Sequence, residues 1–221
     1  MLEELDPHST FIPAEELQKT NEPLKGNFDG VGIQFNILKD TIFVVSPIVG
    51  GPSEKVGVMA GDRIVEVDGE TVAGIGVQNS DVMRLLKGPK GTEVKVGILR
   101  RSKKDILDFT ITRDKIPLYS VTASYMADDK TGYVKISRFA ANTIQEFKIA
   151  LNELKENGME NLILDLQGNG GGYLRTAIEI ADEFLAQDEL IVFTEGRAFP
   201  KQEYTASARG GFEAGKLVVL I

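Results

Sequence analysis

The stretch that most restricts the fold is residues 161–173, Asn-Leu-Ile-Leu-Asp-Leu-Gln-Gly-Asn-Gly-Gly-Gly-Tyr. The apolar run 162–166 reads as a buried strand. It stops at a loop holding Gly168, Gly170, Gly171 and Gly172. A helical pattern starts at once, with Leu174, Ala177, Ile178, Ala181 and Leu185 on one face. Strand, glycine loop and helix together present backbone N–H groups at a helix N-terminus, where negative charge is favoured. A phosphate loop would need Lys followed by Ser or Thr, which is absent. Dinucleotide spacing fails because Tyr173 stands in the third glycine's place. An oxyanion hole for acyl transfer and a tight turn without chemistry both stay open.

Composition narrows the rest. A chain of 221 residues suits two domains, and an apolar fraction of 42% predicts a packed core. The net charge of −8 argues against nucleic acid as a partner. Cysteine is absent, which excludes disulfides, thiolate metal sites and a cysteine nucleophile. The one histidine, His8, reads as a loop residue and leaves no His-rich metal cluster. No metal or cofactor is expected. No run is apolar enough to span a membrane, and no signal peptide is visible. Both ends read as cut: the chain opens mid-pattern at residues 1–5 and closes on the apolar strand 217–221. The missing signal peptide therefore says little about location.

Taken in order, Pro13 starts a polar helical segment that runs to Lys25. Between Gly26 and Arg113 the texture changes to short alternating strands and glycine turns. Strands are expected at 30–35, 41–45, 63–67, 92–100 and 107–111, with short helices at 53–56 and 80–87. This predicts a small barrel-like module. Ile116-Pro117 marks a junction. Strands follow at 121–126 and 133–137. The run 143–146, Thr-Ile-Gln-Glu, reads as a capping box with Thr143 as cap, opening a helix that ends at Gly158. Strand, helix and a continuous apolar strand imply a parallel sheet. A strand at 190–194, a polar surface excursion over 195–215 and the strand 217–221 complete the chain.

Two resemblances attach to these motifs. Gly30-Val31-Gly32-Ile33-Gln34-Phe35, then Ser46-Pro47-Ile48 with Gly51-Pro52, then residues 58–64 and Val67-Asp68-Gly69, look like a bacterial PDZ domain. Such domains offer the N–H groups of a glycine loop to a peptide's C-terminal carboxylate. The peptide then adds as a strand beside Ile33, Gln34 and Phe35, against the 80–87 helix. Gly30 and Gly32 permit that backbone shape. Arg84 and Lys87 read as ordinary charges of the helix surface.

The order of the remaining motifs is similar to the carboxyl-terminal processing peptidases, also called tail-specific proteases. Leu5-Asp6-Pro7-His8-Ser9 precedes the PDZ-like module; Asp165-Leu166-Gln167-Gly168-Asn169-Gly170-Gly171-Gly172, then residues 177–185, then 216–221 follow it. The resemblance implies α+β and α/β classes: a PDZ-type small β-barrel over 26–114, then a partial crotonase-like α/β protease core over 115–221, with 1–25 an N-terminal segment of the protease region. It implies a serine endopeptidase with a Ser–Lys pair, whose lysine must fall well below its free value of about 10.4 to act as base. By motif position Gly171 and Gly172 are the oxyanion candidates, with Gly172 preferred, while Asp165 and Asn169 shape the loop. The implied partner is a protein or peptide with a free apolar C-terminus, and the implied location is the periplasm or cell envelope. Oligomeric state is left open.

One departure matters. The family's nucleophile follows the strand matched by residues 217–221, and its lysine comes later still. The chain therefore reads as truncated before both and inactive alone. Ser207, in Thr205-Ala206-Ser207-Ala208, imitates the nucleophile segment but lies before that strand, and Arg209 breaks the pattern. A pure PDZ peptide-binding scaffold would leave the strand–glycine–helix unit unexplained. A crotonase-like acyl-CoA enzyme would leave the PDZ-like module unexplained.

Overall fold

The computed structural model describes residues 11–103 and 105–221. The motif at residues 5–9, with His8, lies outside them. The chain divides into two units, Asn27–Pro117 and a second made of the segment ending at Gly26 with Leu118–Ile221.

Helix α1 (Ala14–Lys25) opens behind Pro13 and closes on Gly26, whose φ of +72° is left-handed. A Cβ there would sit 2.0 Å from Oδ1 of Asn142, so glycine is required twice over.

The first unit runs β1 (Asn27–Gly30), β2 (Ile33–Ile37), β3 (Ile42–Pro47), α2 (Pro52–Lys55), β4 (Arg63–Val67), β5 (Glu70–Thr71), α3 (Asn79–Leu86), β6 (Glu93–Leu99), β7 (Leu107–Thr112) and β8 (Asp114–Pro117). Alternating Val and Ile of β3, β4, β6 and β7 meet in one core with Val82 and Leu86 of α3. The sheet order is β2-β3-β4-β6-β7, with β5 on β4, and β1 pairs with β8 as a separate antiparallel ribbon. The sheet is thus open, where the sequence suggested a barrel. Its edges β2 and β7 are not paired to each other, and α3 closes the core in place of strand pairing.

The second unit continues with β9 (Val121–Met126), β10 (Thr131–Ile136), α4 (Thr143–Glu156), β11 (Asn161–Asp165), α5 (Leu174–Asp182), β12 (Leu190–Gly196), β13 (Phe199–Thr205) and β14 (Leu217–Leu220). The order β14-β11-β10-β9 is parallel at both contacts of β11 and antiparallel between β9 and β10. Val134 and Ile136 of β10, and Leu162 and Leu164 of β11, bury one sheet face against Phe147, Leu151 and Leu154 of α4 and Ile180 of α5.

Three expectations change. The stretch 195–215 is not all excursion, because β13 lies within it and pairs with β12. On α5 the fully buried residues are Thr176 and Ile180, while Leu174 is half exposed; the inward face follows Ile180 into the aromatic core. The capping box is also used differently. Helix α4 begins at Thr143, whose buried hydroxyl accepts the Ala140 N–H at 2.8 Å. Glu146 accepts from the Asn142 side chain and from the N–H groups of Ser120 and Val121, at 2.5, 2.7 and 3.0 Å. Amides at a partly buried sheet end need an acceptor, and Glu146 supplies it from the neighbouring helix.

Phe147 is completely buried, and its ring packs at a tilt against Phe184, 5.7 Å from centroid to centroid. Truncation to Ala is expected to cost about 3–5 kcal/mol of unfolding free energy. Urea denaturation of Phe147→Ala measures this, and a loss under about 1 kcal/mol would show that Phe147 does not anchor the core.

Candidate functional site

The glycine loop is fixed by side chains at its base. Asp165 ends β11 on the face opposite Leu162 and Leu164, and it is 4% exposed. Its Oδ1 accepts the Gln167 N–H at 2.7 Å. Its Oδ2 accepts the Tyr133 hydroxyl at 2.5 Å and the Lys135 ammonium at 2.7 Å. Lys135 also donates to the Gln167 carbonyl at 3.2 Å, so both ends of that residue are held. Period-2 alternation puts Tyr133 and Lys135 on one face of β10, and parallel pairing sets Lys135 opposite Asp165.

Asn169 fixes the next turn. Its Nδ2 donates to the Ile136 carbonyl at 3.1 Å, and its Oδ1 accepts the Gly171 N–H at 2.8 Å. The chain then runs beside Phe139. The Phe139 N–H donates to the Gly171 carbonyl at 2.9 Å, and Tyr173 N–H donates to the Phe139 carbonyl at 2.8 Å. Gly172, between them, has a φ of +149°, and a Cβ there would lie 2.1 Å from the Phe139 oxygen. Any side chain at this position would displace the backbone.

The two oxyanion candidates therefore differ. The Gly171 amide is committed to Asn169. The exposed Gly172 amide has no acceptor among the described residues. It sits at the start of α5, whose N-cap residue, Tyr173, makes no side-chain cap. Helices α2, α3 and α4 each carry an acidic residue in the first turn, and α5 carries none. The first turn of α5 thus offers no acidic side chain of its own to the positive end of its dipole.

Ser207 lies elsewhere in its unit. Its hydroxyl donates to Asp182 at 2.8 Å, and its N–H donates to the same carboxylate at 2.5 Å. Lys148 lines the same cavity but pairs with the buried Glu183 at 2.8 Å. Among the described residues no group of His, Cys, Asp and Glu is arranged to hold a metal ion. No described helix is long and apolar enough to cross a membrane.

In the other unit, Val31 and Gly32 link β1 to β2 with their carbonyls turned inward. The Val31 carbonyl accepts the N–H and the hydroxyl of buried Ser53, at 3.0 and 2.7 Å, and the Gly32 carbonyl accepts the Ile48 N–H at 2.9 Å. In a planar trans peptide the N–H points opposite the C=O, and no described peptide is cis. The N–H groups of Gly32 and Ile33 therefore face away from Ser53 and Ile48. Gly32 needs its left-handed φ of +73°, and a Cβ would lie 2.9 Å from Ile116. Gly30 bridges to Lys87 after α3. Ile33, Gln34 and Phe35 lie on β2, an edge strand with β3 as its paired neighbour. Arg84 pairs with Asp81, and the Lys87 ammonium lies 4.6 Å from the Phe28 ring centroid.

Sequence reasoning missed Ser53, Tyr133 and Lys135. The last two were reachable from the alternation of β10; Ser53 was hidden as the start of a helix.

Comparison with known proteins covers both units. A PDZ domain family matches residues 43–100, and peptidase family S41 matches residues 130–221. The carboxy-terminal processing protease CtpA of Bacillus subtilis is 35% identical over 190 residues, covering 86% of this chain and 40% of the relative. The carboxyl-terminal-processing protease of Synechocystis is 32% identical over 228 residues, covering 100% of this chain and 52% of the relative. The chain thus spans about half or less of the length of these relatives. Among solved structures, the photosystem II D1 C-terminal processing protease is 28% identical, covering 97% of this chain and 59% of that one at a TM-score of 0.45.

The Asp165 cluster predicts a pH response. Lys135, then Tyr133 and the Gln167 N–H, hold the Asp165 carboxyl down at about 2, and the bond to Asp165 together with burial pushes the Tyr133 phenol up to about 12. A depressed carboxyl stabilises the fold above its ordinary value near 3.9, and that contribution is lost as pH falls toward about 2. Urea unfolding of wild type should weaken more steeply over this acid range than that of Asp165→Asn. Equal slopes would mean that the cluster does not couple to folding.

Proposed function

The chain belongs to the carboxy-terminal processing serine proteases of peptidase family S41 and carries a PDZ domain, and from that premise we propose that it supplies two working parts of such an endopeptidase. Residues 26–114 read the substrate's C-terminus. The glycine loop within 115–221 stabilises the oxyanion formed when a serine attacks the scissile carbonyl. The observation that carries the reading is the Gly172 amide: it has no acceptor among the described residues, and its backbone is held against Phe139. A donor fixed before the reaction needs no reorganisation as charge develops on the carbonyl oxygen. Gly171 serves the same loop through its link to Asn169, leaving Gly172 as the donor.

The nucleophile and base are a serine and a neutral lysine, as the family resemblance implies. Ser207 is a poor match for the first. Its hydroxyl already donates to the Asp182 carboxylate, and Lys148, the amine that lines the same cavity, is paired with Glu183 at 2.8 Å. Residues 1–221 alone are therefore inactive in this reading. The chain acts in the periplasm or cell envelope on proteins with apolar C-termini.

The peptide site uses the outward N–H groups of Gly32 and Ile33 for the carboxylate and the free edge of β2 for the main chain of the peptide. Charge-assisted hydrogen bonds contribute about 1.5–3 kcal/mol each, so neutralising the carboxylate should weaken binding at least about tenfold. Calorimetric titration of a free-acid apolar peptide against its C-terminal amide tests this, and equal affinities defeat it. Incubation with an unstructured protein ending in apolar residues should give no cleavage. A rate that vanishes on Ser207→Ala would make Ser207 the nucleophile after all.

A further inference from the structure

Strand β2 leaves the peptide edge through a two-residue turn, Lys39-Asp40. Leu38 and Thr41 exchange both backbone hydrogen bonds, at 2.9 and 3.1 Å, and the central residues have φ of +49° and +54°. Positive φ at both positions is the type I′ pattern, which favours Asn-Gly. Neither residue here is glycine, so the turn holds two side chains in a backbone region that disfavours them. A backbone outlier of this kind calls for a compensating contact.

Asp40 makes one. Its carboxylate accepts the Gly76 N–H at 2.7 Å and the Val77 N–H at 2.9 Å, and its carbonyl accepts the Gly74 N–H at 2.8 Å. Val77 is buried in the core, and Gln78 caps α3 directly after it. Asp40 therefore ties the far end of β2 to the segment that launches α3. The other end of α3 is held by Arg113, which donates to the Leu85 and Leu86 carbonyls at 2.9 and 3.1 Å. The carboxylate-reading loop lies at that second end, where Gly30 bridges to Lys87.

We propose that Asp40 is a positioning residue for the peptide groove: it fixes the spacing of β2 and α3 at the end remote from the carboxylate loop, and so controls affinity for upstream residues of a bound peptide. This rests on the reading of β2 and α3 as the walls of a peptide site. The ligand class is an extended peptide long enough to run the five residues of β2.

The test uses the 1–221 chain and two free-acid peptides with the same apolar C-terminus. One is about three residues long and reaches only the carboxylate loop. The other is about eight residues long and passes Asp40, at about 3.3 Å per residue. Asp40→Gly suits the left-handed φ while removing the carboxylate. Long-peptide affinity is expected to fall roughly tenfold, the value of one lost charge-assisted anchor, and short-peptide affinity to change less than about twofold. Asp40→Asn, which keeps one acceptor oxygen, should fall between. Circular dichroism confirms that each variant is folded at the titration temperature. Equal weakening of both peptides would reduce Asp40 to a general structural role and overturn the inference, as would an unchanged long-peptide affinity. If wild type binds neither peptide, the peptide-site reading fails first and the inference falls with it.

Discussion

The geometry of the peptidase-region loop depends on one carboxylate. Asp165 is nearly buried and anionic, and a buried charge without partners would cost several kcal/mol. It has three donors, and they come from two directions: Tyr133 and Lys135 from β10, and the Gln167 N–H from the loop itself. Strand register and loop conformation are therefore set together. Sliding β10 by one residue would turn Tyr133 and Lys135 to the helix-covered face and leave Asp165 unpaired. Asn169 extends the same logic by one turn, spending its amide donor on Ile136 and its acceptor on Gly171. The loop is held by β10 and the residues just after it.

That arrangement explains why an unoccupied amide can persist at Gly172. The Gly171 amide and carbonyl and the Tyr173 amide are all engaged, which holds the backbone on both sides of that amide. Gly172 is exposed, so water can serve the amide without a burial penalty. The nearby helix end has no side-chain cap and no acidic residue in its first turn, whereas α2, α3 and α4 each carry an acidic residue there. Each of these omissions forgoes a little stability, and together they leave one small region where an anion is favoured.

Much of this was legible in the sequence, for reasons that differ from element to element. The apolar run that became β11 could be read because its Leu162 and Leu164 belong to the core, so the run had to be apolar there. The loop-shaping part played by Asp165 and Asn169 followed from motif position, but their partners did not, since Tyr133 and Lys135 are some thirty residues upstream. Strand β13 escaped notice because its residues are almost all exposed, and its sequence, Phe-Pro-Lys-Gln-Glu-Tyr-Thr, shows no apolar alternation. Thr143 and Glu146 matched a local capping rule, yet tertiary demand won: two amides at the start of β9 needed Glu146 more than the helix did. The barrel expectation failed for a related reason. Strand count and alternation cannot tell whether edges join, and here α3 covers the core that strand closure would have sealed.

The two glycine loops reach one end by different means. Between β1 and β2 the Val31 and Gly32 carbonyls are drawn inward by Ser53 and Ile48, and the planarity of the peptide then turns the Gly32 and Ile33 amides outward. In residues 167–172 the Asp165 and Asn169 side chains take the Gln167 and Gly171 amides, and the Gly172 amide is left without an acceptor among the described residues. Glycine is needed in both places, at Gly32 for a left-handed turn close to Ile116 and at Gly172 for passage against the Phe139 oxygen. An amide left without a protein acceptor is thus not a property of glycine alone. It arises where everything else that could satisfy the backbone has been engaged, and the residues that do the engaging, Ser53, Asp165 and Asn169, lie beside the glycine motifs or beyond them. That is why a glycine count locates such a loop but does not say which of its N–H groups is available: Gly171 and Gly172 are adjacent and identical in type, and it is the Asn169 side chain that takes the Gly171 amide.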